Sequence, residues 1–443
     1  MSIKASNELL LKYDRPGPRY ISYPIAPVWS DDFGAEEHAE SLRRANHAGE
    51  PLSLYVHLPF CKSMCWYCGC NVFITQNEGK MASYVDRVLE EAALARLYMD
   101  QDRPVIQHHW GGGTPTHLPS DEMVRLFSGL GELFPTTDDA EISIEIDPRV
   151  TTVSQLETLR ACGFNRISMG VQDFDSRVQK AIHRIQSFEE TRELTEAAKA
   201  LGFISLNVDL VYGLPHQTIA GFDRTLEQIL DLKPDRVACY CYAHVPWIKK
   251  HQKVIDVDDL PQGKDKMALY LLALDGLQDA GFIAIGMDHF ARPGDSLHKA
   301  VSTGELHRNF MGYTTHPAQD MISFGVTSIS EISGAFAQNL KDLSAWHTAV
   351  EAGQLPVDRG LRRNGDDERR RKIILDLMCR FGLQFEQHGG AEAFFDLYRE
   401  PLKDLQGMVD DGLVVVSSNG IEVTELQVMK AMVNPSALAT SPT

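Results

Sequence analysis

The sequence predicts an α/β fold built on parallel strands joined by crossover helices. Three observations carry that prediction: short β-branched or aromatic segments recur, helical patterns lie between them, and Gly, Pro or Asp marks the joints. Strand–helix alternation repeated about six times implies parallel pairing. A barrel-like (β/α) sheet and an open doubly wound sheet both satisfy the pattern.

The predicted strands are, in order, SLYVHLPF (53–60), VIQHHW (105–110), ISIEID (142–147), RISMGVQ (166–172), SLNVDLVYG (205–213) and RVACYCYA (236–243). The helical patterns between them are KMASYVDRVLEEAALARLYM, SDEMVRLFSGLGELF, SQLETLRACG, SFEETRELTEAAKALG and TIAGFDRTLEQILDL. The second and fourth open on Ser before an acidic residue, a helix start signal, and several close on Gly. After about residue 360 the character changes. LRRNGDDERRRKIILDLMCRFGL is charged and then amphipathic, and its run Arg362–Lys372 reads as a solvated helix start. A second helical stretch, AEAFFDLYREPLKDLQGMVDDG, leads to two short strands around SSNG, a hairpin signal because Asn-Gly tolerates the positive φ of a tight turn. Helices followed by a hairpin predict a small winged-helix-type domain. The expected division is therefore 1–50 as an N-terminal segment, 51–360 as the main α/β domain, 361–435 as the small domain and 436–443 as a disordered tail.

The chain has 443 residues, 43% hydrophobic and 23% charged, the profile of a soluble globular protein. No apolar run approaches the roughly 18–20 residues that span a bilayer, and no signal peptide is evident at the N-terminus. Both point to the cytoplasm, where clustered cysteines mean metal or redox chemistry more often than disulfides. The net charge of −18 argues against nucleic-acid binding, which needs a basic patch.

Cys61, Cys65, Cys68 and Cys70 fall inside ten positions in HLPFCKSMCWYCGCNVF, just after the first predicted strand. In (β/α) sheets that is the edge where active sites collect. A structural zinc site pairs two ligand halves, whereas Cys162, Cys239, Cys241 and Cys379 are scattered and offer no second half. Three thiolates on one tight loop suit three irons of a [4Fe–4S] cube and leave the fourth iron open to a small molecule. The pattern favours that cluster over zinc or free thiols.

Gly111, Gly112 and Gly113 in GGGTP follow the second strand, where missing side chains let a ligand approach the backbone. A tight β–α turn alone would need one glycine. No Gly-Lys-Ser/Thr follows, so this is not a phosphate loop. Glu145, Gln172 and Asp209 each fall at or near a strand end. Singly such a group often only caps a helix; three converging on one sheet edge point to a site. A carboxylate such as Asp209 suits ribose hydroxyls because it accepts two hydrogen bonds at once. His108, His109, His289 and His307 lack metal-ligand spacing, and a structural role is expected. Arg19, Arg292 and Arg308 are candidates for gripping carboxylates bidentately.

CxxxCxxC after a first strand resembles the signature of radical S-adenosylmethionine (SAM) enzymes. HLPFCKSMCWYCGCN, HWGGGTPT, EISIEIDPR, NRISMGVQDF, DLVYGLP, YAHVP, GMDHFARP and HRNFMGYTTH, in this order, resemble the oxygen-independent coproporphyrinogen III oxidase family from about Gly17 to the C-terminal hairpin. The resemblance implies an incomplete (β/α)6 TIM-like barrel and a catalytic [4Fe–4S] cluster on Cys61, Cys65 and Cys68, with Cys70 not a ligand. It also implies two SAM molecules. Tyr55, Tyr67, Gly112, Glu145 and Ile329 would contact the cluster-bound one, with Tyr67 against the adenine. Gly113, Thr114, Gln172, Arg184, Asp209 and Ala243 would contact the second.

The implied activity is oxidative decarboxylation of two propionates of coproporphyrinogen III to vinyl groups in haem biosynthesis. A monomer served by an external electron donor such as a flavodoxin or ferredoxin would carry it out, with no nucleic-acid or membrane partner. The chain departs from the family at Ile21 and Ile25, where GPRYTSYPTA has become GPRYISYPIA, and at Met311, where HRNFQGYTT has become HRNFMGYTT. GVTSIS, followed by Glu331, replaces GVSAIS, and the chain stops soon after the hairpin. The apolar replacements favour an alternative, a related radical SAM enzyme using the second SAM as methyl or methylene donor to a non-porphyrin substrate. A haem-binding chaperone on the same scaffold is the third reading.

Overall fold

The computed structural model describes residues 12–13, 22–46, 50–99, 103–316, 318 and 320–424. Arg19, Ile21 and the expected disordered tail lie outside the described residues. The chain divides into two compact units, each discontinuous: 29–261 with 316–362, and 1–28 with 262–315 and 363–443. No helix among the described residues is long and apolar enough to cross a membrane.

The first unit is built on six strands: β1 (Leu52–Leu58), β2 (Val105–Gly112), β3 (Thr136–Ile146), β4 (Arg166–Gln172), β5 (Ser205–Tyr212) and β6 (Arg236–Cys241). Each pairs in parallel with the next in sequence. The order is sequential, without the reversal that defines a doubly wound sheet. Between the strands run α1 (Glu78–Arg96), α2 (Ser120–Leu133), α3 (Val153–Cys162), α4 (Ser176–Ala181), α5 (Phe188–Ala200) and α6 (Ile219–Asp231). Capping boxes start α3 at Thr152 and α5 at Ser187. Gly163, at φ +108, closes α3 in the left-handed conformation that costs a residue with Cβ most. Ser120 is not the cap of α2; Pro119 precedes the helix and Ser120 lies within its first turn.

Beyond β1, on the other edge, β7 (Asp320–Phe324) runs parallel to it. β8 (Ile329–Ile332), β9 (Ala335–Asn339) and β10 (Val357–Arg362) continue antiparallel, with α7 (Leu343–Glu351) between the last two.

The two faces of the parallel sheet differ because side chains alternate along each strand. Leu54, Val56, Ile142, Ile144, Ile167, Met169, Val208 and Leu210 are buried on one face. The other carries polar rows in register. Ser53 Oγ meets Gln107, whose amide donates to Glu141, which pairs with Arg166 at 2.7 Å. One pleat further along, Tyr55 stacks on His109 at 5.9 Å between ring centres, and His109 meets Ser143 at 2.7 Å. A parallel sheet tolerates such rows where most of the buried polar groups find partners in register.

In the second unit, the charged run does open a helix, Gly365–Arg380, capped by Asn364. Three short strands follow, Gly382–Gln384, Val414–Val416 and Gly420–Val423, the last two forming the expected hairpin. They enclose a core with Ile373, Phe385, Phe394, Tyr398, Leu413 and Ile421.

Candidate radical SAM site

The site lies where the polar face reaches the C-terminal ends of the six parallel strands. β1 ends at Leu58, and Cys61, Cys65, Cys68 and Cys70 follow on one loop. None of the four forms a disulfide among the described residues. Cys61 Sγ lies 3.4 Å from Thr114 Oγ1, beyond β2, and burial pushes this thiol up to about 12. The Cys70 backbone N–H donates to Cys68 Sγ at 3.4 Å, and the hydrogen bonds from Cys70 hold Cys68 down at about 6. Among the described residues no three His, Cys, Asp or Glu side chains converge as a single metal ion requires. Each ligand of a cube holds its own iron, so three cysteines on one loop, with Thr114 beside Cys61 and Arg149 donating to Cys65, suit a cluster.

Asp147 and Arg149 sit beside this loop in the turn after β3. Arg149 grips Asp147 through Nε and Nη2, at 3.0 and 2.6 Å, and Nη2 also donates to Cys65 Sγ at 3.3 Å. Arg184 reaches the same carboxylate from the loop after α4, with Nη1 2.8 Å from Asp147 and Nη2 2.5 Å from the Gly170 carbonyl. Burial opposes the charge on Asp147, yet Arg184 and Arg149 hold its carboxyl down to about 2. Cys61, Lys62, Thr114, Asp147 and Arg149 line one cavity of about 130 Å³, so loops after three strands meet there.

Each of the three glycines sits against a different neighbour. A Cβ on Gly111 would stand 3.0 Å from the Glu145 carboxylate, and one on Gly113 would strike the Pro59 backbone at 2.6 Å. Gly112 has φ +113, and a Cβ there would strike the His57 ring at 2.5 Å. The backbone N–H of Gly112 donates to Glu145 Oε2 at 3.0 Å, while His109 Nε2 faces Oε1 at 3.6 Å. Burial works against this charge, but His109 and Gly112 hold the carboxyl below its usual range.

Further along the edge, Gln172 ends β4 at φ +71, a strained value for a residue with a side chain. Its amide lies near Gly170 and Arg184. Asp209 accepts from Ser168 Oγ at 3.1 Å and Asn207 Nδ2 at 2.8 Å. Burial and the nearby Glu145 raise its carboxyl to about 7. Tyr55 OH meets His57 Nδ1 at 3.1 Å, and Ser323, the β7 partner of Tyr55, donates to the Ile329 carbonyl at 2.5 Å. Tyr67 packs near Ile182, Val211 and Tyr242; its carbonyl and that of Ala243 share the Gln252 amide. Ala243 is exposed just past β6.

Residues 55–229 match the radical SAM superfamily. Oxygen-independent coproporphyrinogen III oxidases from Pseudomonas aeruginosa, Synechocystis and Escherichia coli are 42%, 41% and 43% identical to the chain. These alignments span 96%, 96% and 94% of this chain and 93%, 92% and 91% of the relatives. The chain belongs to the oxygen-independent coproporphyrinogen III oxidase family. A solved coproporphyrinogen III oxidase from Escherichia coli, described as a radical SAM enzyme, superposes with a TM-score of 0.90 at 40% identity, over 95% of this chain and 97% of that one. A [4Fe–4S] cluster and SAM come with this family.

Sequence reasoning left four residues without a role here. His109 was expected to be structural, as His108 is: buried, accepting from Trp110 and stacked on Phe127. Strict alternation along β2 puts the neighbouring histidine on the opposite, functional face, a signal that was available. His57 could have been found the same way on β1. Asp147 and Arg149 stand in EIDPR, where nothing local marks a guanidinium aimed at a cysteine 84 positions away.

His289, His307, Arg292, Arg308, Ile25 and Met311 belong to the second unit. Arg308 is buried over the Tyr313 ring, and its Nε and Nη1 find no hydrogen-bond partner among the described residues. Ile25 packs beside Ile285, Leu297 and Ile374, an apolar setting that explains why isoleucine serves there.

Proposed function

We propose that the chain converts coproporphyrinogen III to protoporphyrinogen IX without oxygen, as a cytoplasmic monomer in haem biosynthesis. The observation that carries this reading is family membership over nearly the whole chain, joined to a three-cysteine loop at the polar edge of the sheet.

Cys61, Cys65 and Cys68 hold the cluster in this reading. Tyr55, Tyr67, Gly112, Glu145 and Ile329 hold the first SAM. Glu145, kept ionised by His109 and Gly112, suits its ammonium group. Gly113, Thr114, Gln172, Arg184, Asp209 and Ala243 hold a second SAM. Bound there, the cluster and SAM would supply radical chemistry able to remove one hydrogen atom from each propionate. For each propionate the net change would be loss of a β-hydrogen atom, carbon dioxide and one electron to an acceptor, leaving a vinyl group. The chain's own part is to position the reacting carbon and exclude water. Sequential strand order and the polar face support an incomplete (β/α)6 barrel, and the helix, strand and hairpin after 363 support a winged-helix-type domain. An external one-electron donor is required; nucleic acid and membrane are not.

The test is anaerobic reconstitution with iron and sulfide, followed by SAM, a reductant and coproporphyrinogen III. The expected products are 5′-deoxyadenosine and, after air oxidation, protoporphyrin. Deoxyadenosine without protoporphyrin would transfer the reading to a methyl-transferring relative, which the replacement of glutamine by Met311 favours.

A further inference from the structure

Segment 245–255, VPWIKKHQKVI, follows β6 and is fastened to the cysteine loop by side chains. Lys249 Nζ donates to the Cys70 carbonyl at 2.9 Å and Gln252 Nε2 to the Tyr67 carbonyl at 2.9 Å. His251 Nε2 lies 2.8 Å from the Cys68 carbonyl, which only accepts, so this nitrogen carries the proton. Gln252 is fully buried and also accepts from the Val245 N–H at 2.6 Å. The inner side of the segment is thus satisfied by the backbone of the loop that bears the cluster ligands.

Its outer side is different. Trp247 is 73% exposed, Ile248 68% and Val254 58%, three large apolar side chains within eight residues. Single exposed apolar residues are ordinary; a group of them on one short segment marks an interaction site. Lys250 and Lys253 are exposed between them. The segment holds no acidic residue although the chain carries a net charge of −18. Asp256, Asp258 and Asp259 begin immediately after it and bound the patch.

We propose that segment 245–255 is the docking surface for the protein that delivers electrons to this site, and that this partner is an acidic one-electron carrier. The inference rests on the proposed function, which consumes an external electron for each radical. Electron transfer weakens steeply with distance, so a donor must come close to the cysteine loop, and this segment lies directly on it. Lysines in a segment without acidic residues, on a chain of net charge −18, attract an acidic partner to this segment. An exposed Trp with two aliphatic neighbours supplies the small apolar centre of a transient redox contact, a class that buries less than about 1,200 Å².

The experiment compares deoxyadenosine formation driven by a reduced acidic flavodoxin with that driven by dithionite. Reconstituted wild type is set beside Trp247→Ser and the double variant Lys250→Glu/Lys253→Glu. The expected result is at least a tenfold rise in the flavodoxin KM in both variants, steep salt dependence in wild type only, and dithionite rates within twofold of wild type. An unchanged flavodoxin KM overturns the docking surface. A parallel loss of the dithionite rate overturns it too, because the segment would then act by holding the cysteine loop. Wild type that forms no deoxyadenosine even with dithionite refutes the proposed function, and the docking proposal falls with it.

Discussion

In the proposed site, Arg149 is the side chain placed to tune the cluster. Its guanidinium is locked by Asp147 and offers a charged N–H to Cys65 Sγ at 3.3 Å. Hydrogen bonds to ligand sulfurs favour the reduced, more negative state of a cluster and raise its potential. Arg149→Met is expected to make the reduced cluster at least tenfold harder to form, about 59 mV more negative for one electron, with iron content unchanged. A redox titration followed by electron paramagnetic resonance reads this; an unchanged midpoint would show that the contact does not tune the cluster. Asp209 gives a second expectation. Its carboxyl is raised to about 7, so it is protonated below that pH and ionised above it. A ligand that needs the carboxylate binds more tightly as pH rises through 7, by up to about tenfold per unit on the acid side. SAM titrations of the reconstituted protein between about pH 6 and 8 should follow that slope, and Asp209→Asn should flatten it.

At the scale of elements, α1 is pinned to the antiparallel edge through one buried carboxylate. Glu91 accepts from the Gly325 N–H, Asn339 Nδ2 and Trp346 Nε1. Burial raises it to about 7 despite these donors. Glu91→Leu would strand three buried donors, and a loss of about 3 kcal/mol or more is expected from the urea midpoint. The pH sign follows from linkage. The folded carboxyl keeps a proton that the unfolded one releases, so its contribution to stability falls as pH rises from the usual carboxylate range to about 7. Wild type should lose stability across that window and Glu91→Gln should lose less. The parallel strands and their helices were legible because one face of β1 to β6 is aliphatic, because Gly, Pro or Asp marks their joints, and because Ser187 and Gly163 cap as their types predict. Strands β7 to β10 were not. Asp320 is buried against Arg103 at 2.9 Å, and Ser323, Ser330, Glu331 and Gln338 are buried too. Paired polar residues inside a strand erase the hydrophobic period that sequence reading depends on.

For the whole molecule, the change of character near residue 360 was visible in composition. That 262–315 joins 363–424 in one compact unit was not, because grouping along a sequence carries no signal for a chain that leaves a sheet and returns to it. The proposed cluster ligands Cys61, Cys65 and Cys68 were read from their spacing, and the remaining proposed site residues came from motif resemblance rather than from chemistry. The alternation on β1 and β2 would have added His57 and His109. The docking surface went unread because its meaning depends on which loop lies beneath it. The central claim, that this edge directs a radical to a propionate β-carbon, is tested most directly with coproporphyrinogen III deuterated at those carbons. Anaerobic turnover is expected to place deuterium in 5′-deoxyadenosine, with loss of carbon dioxide and formation of vinyl groups. Deoxyadenosine free of deuterium, with all four propionates intact, would contradict the account.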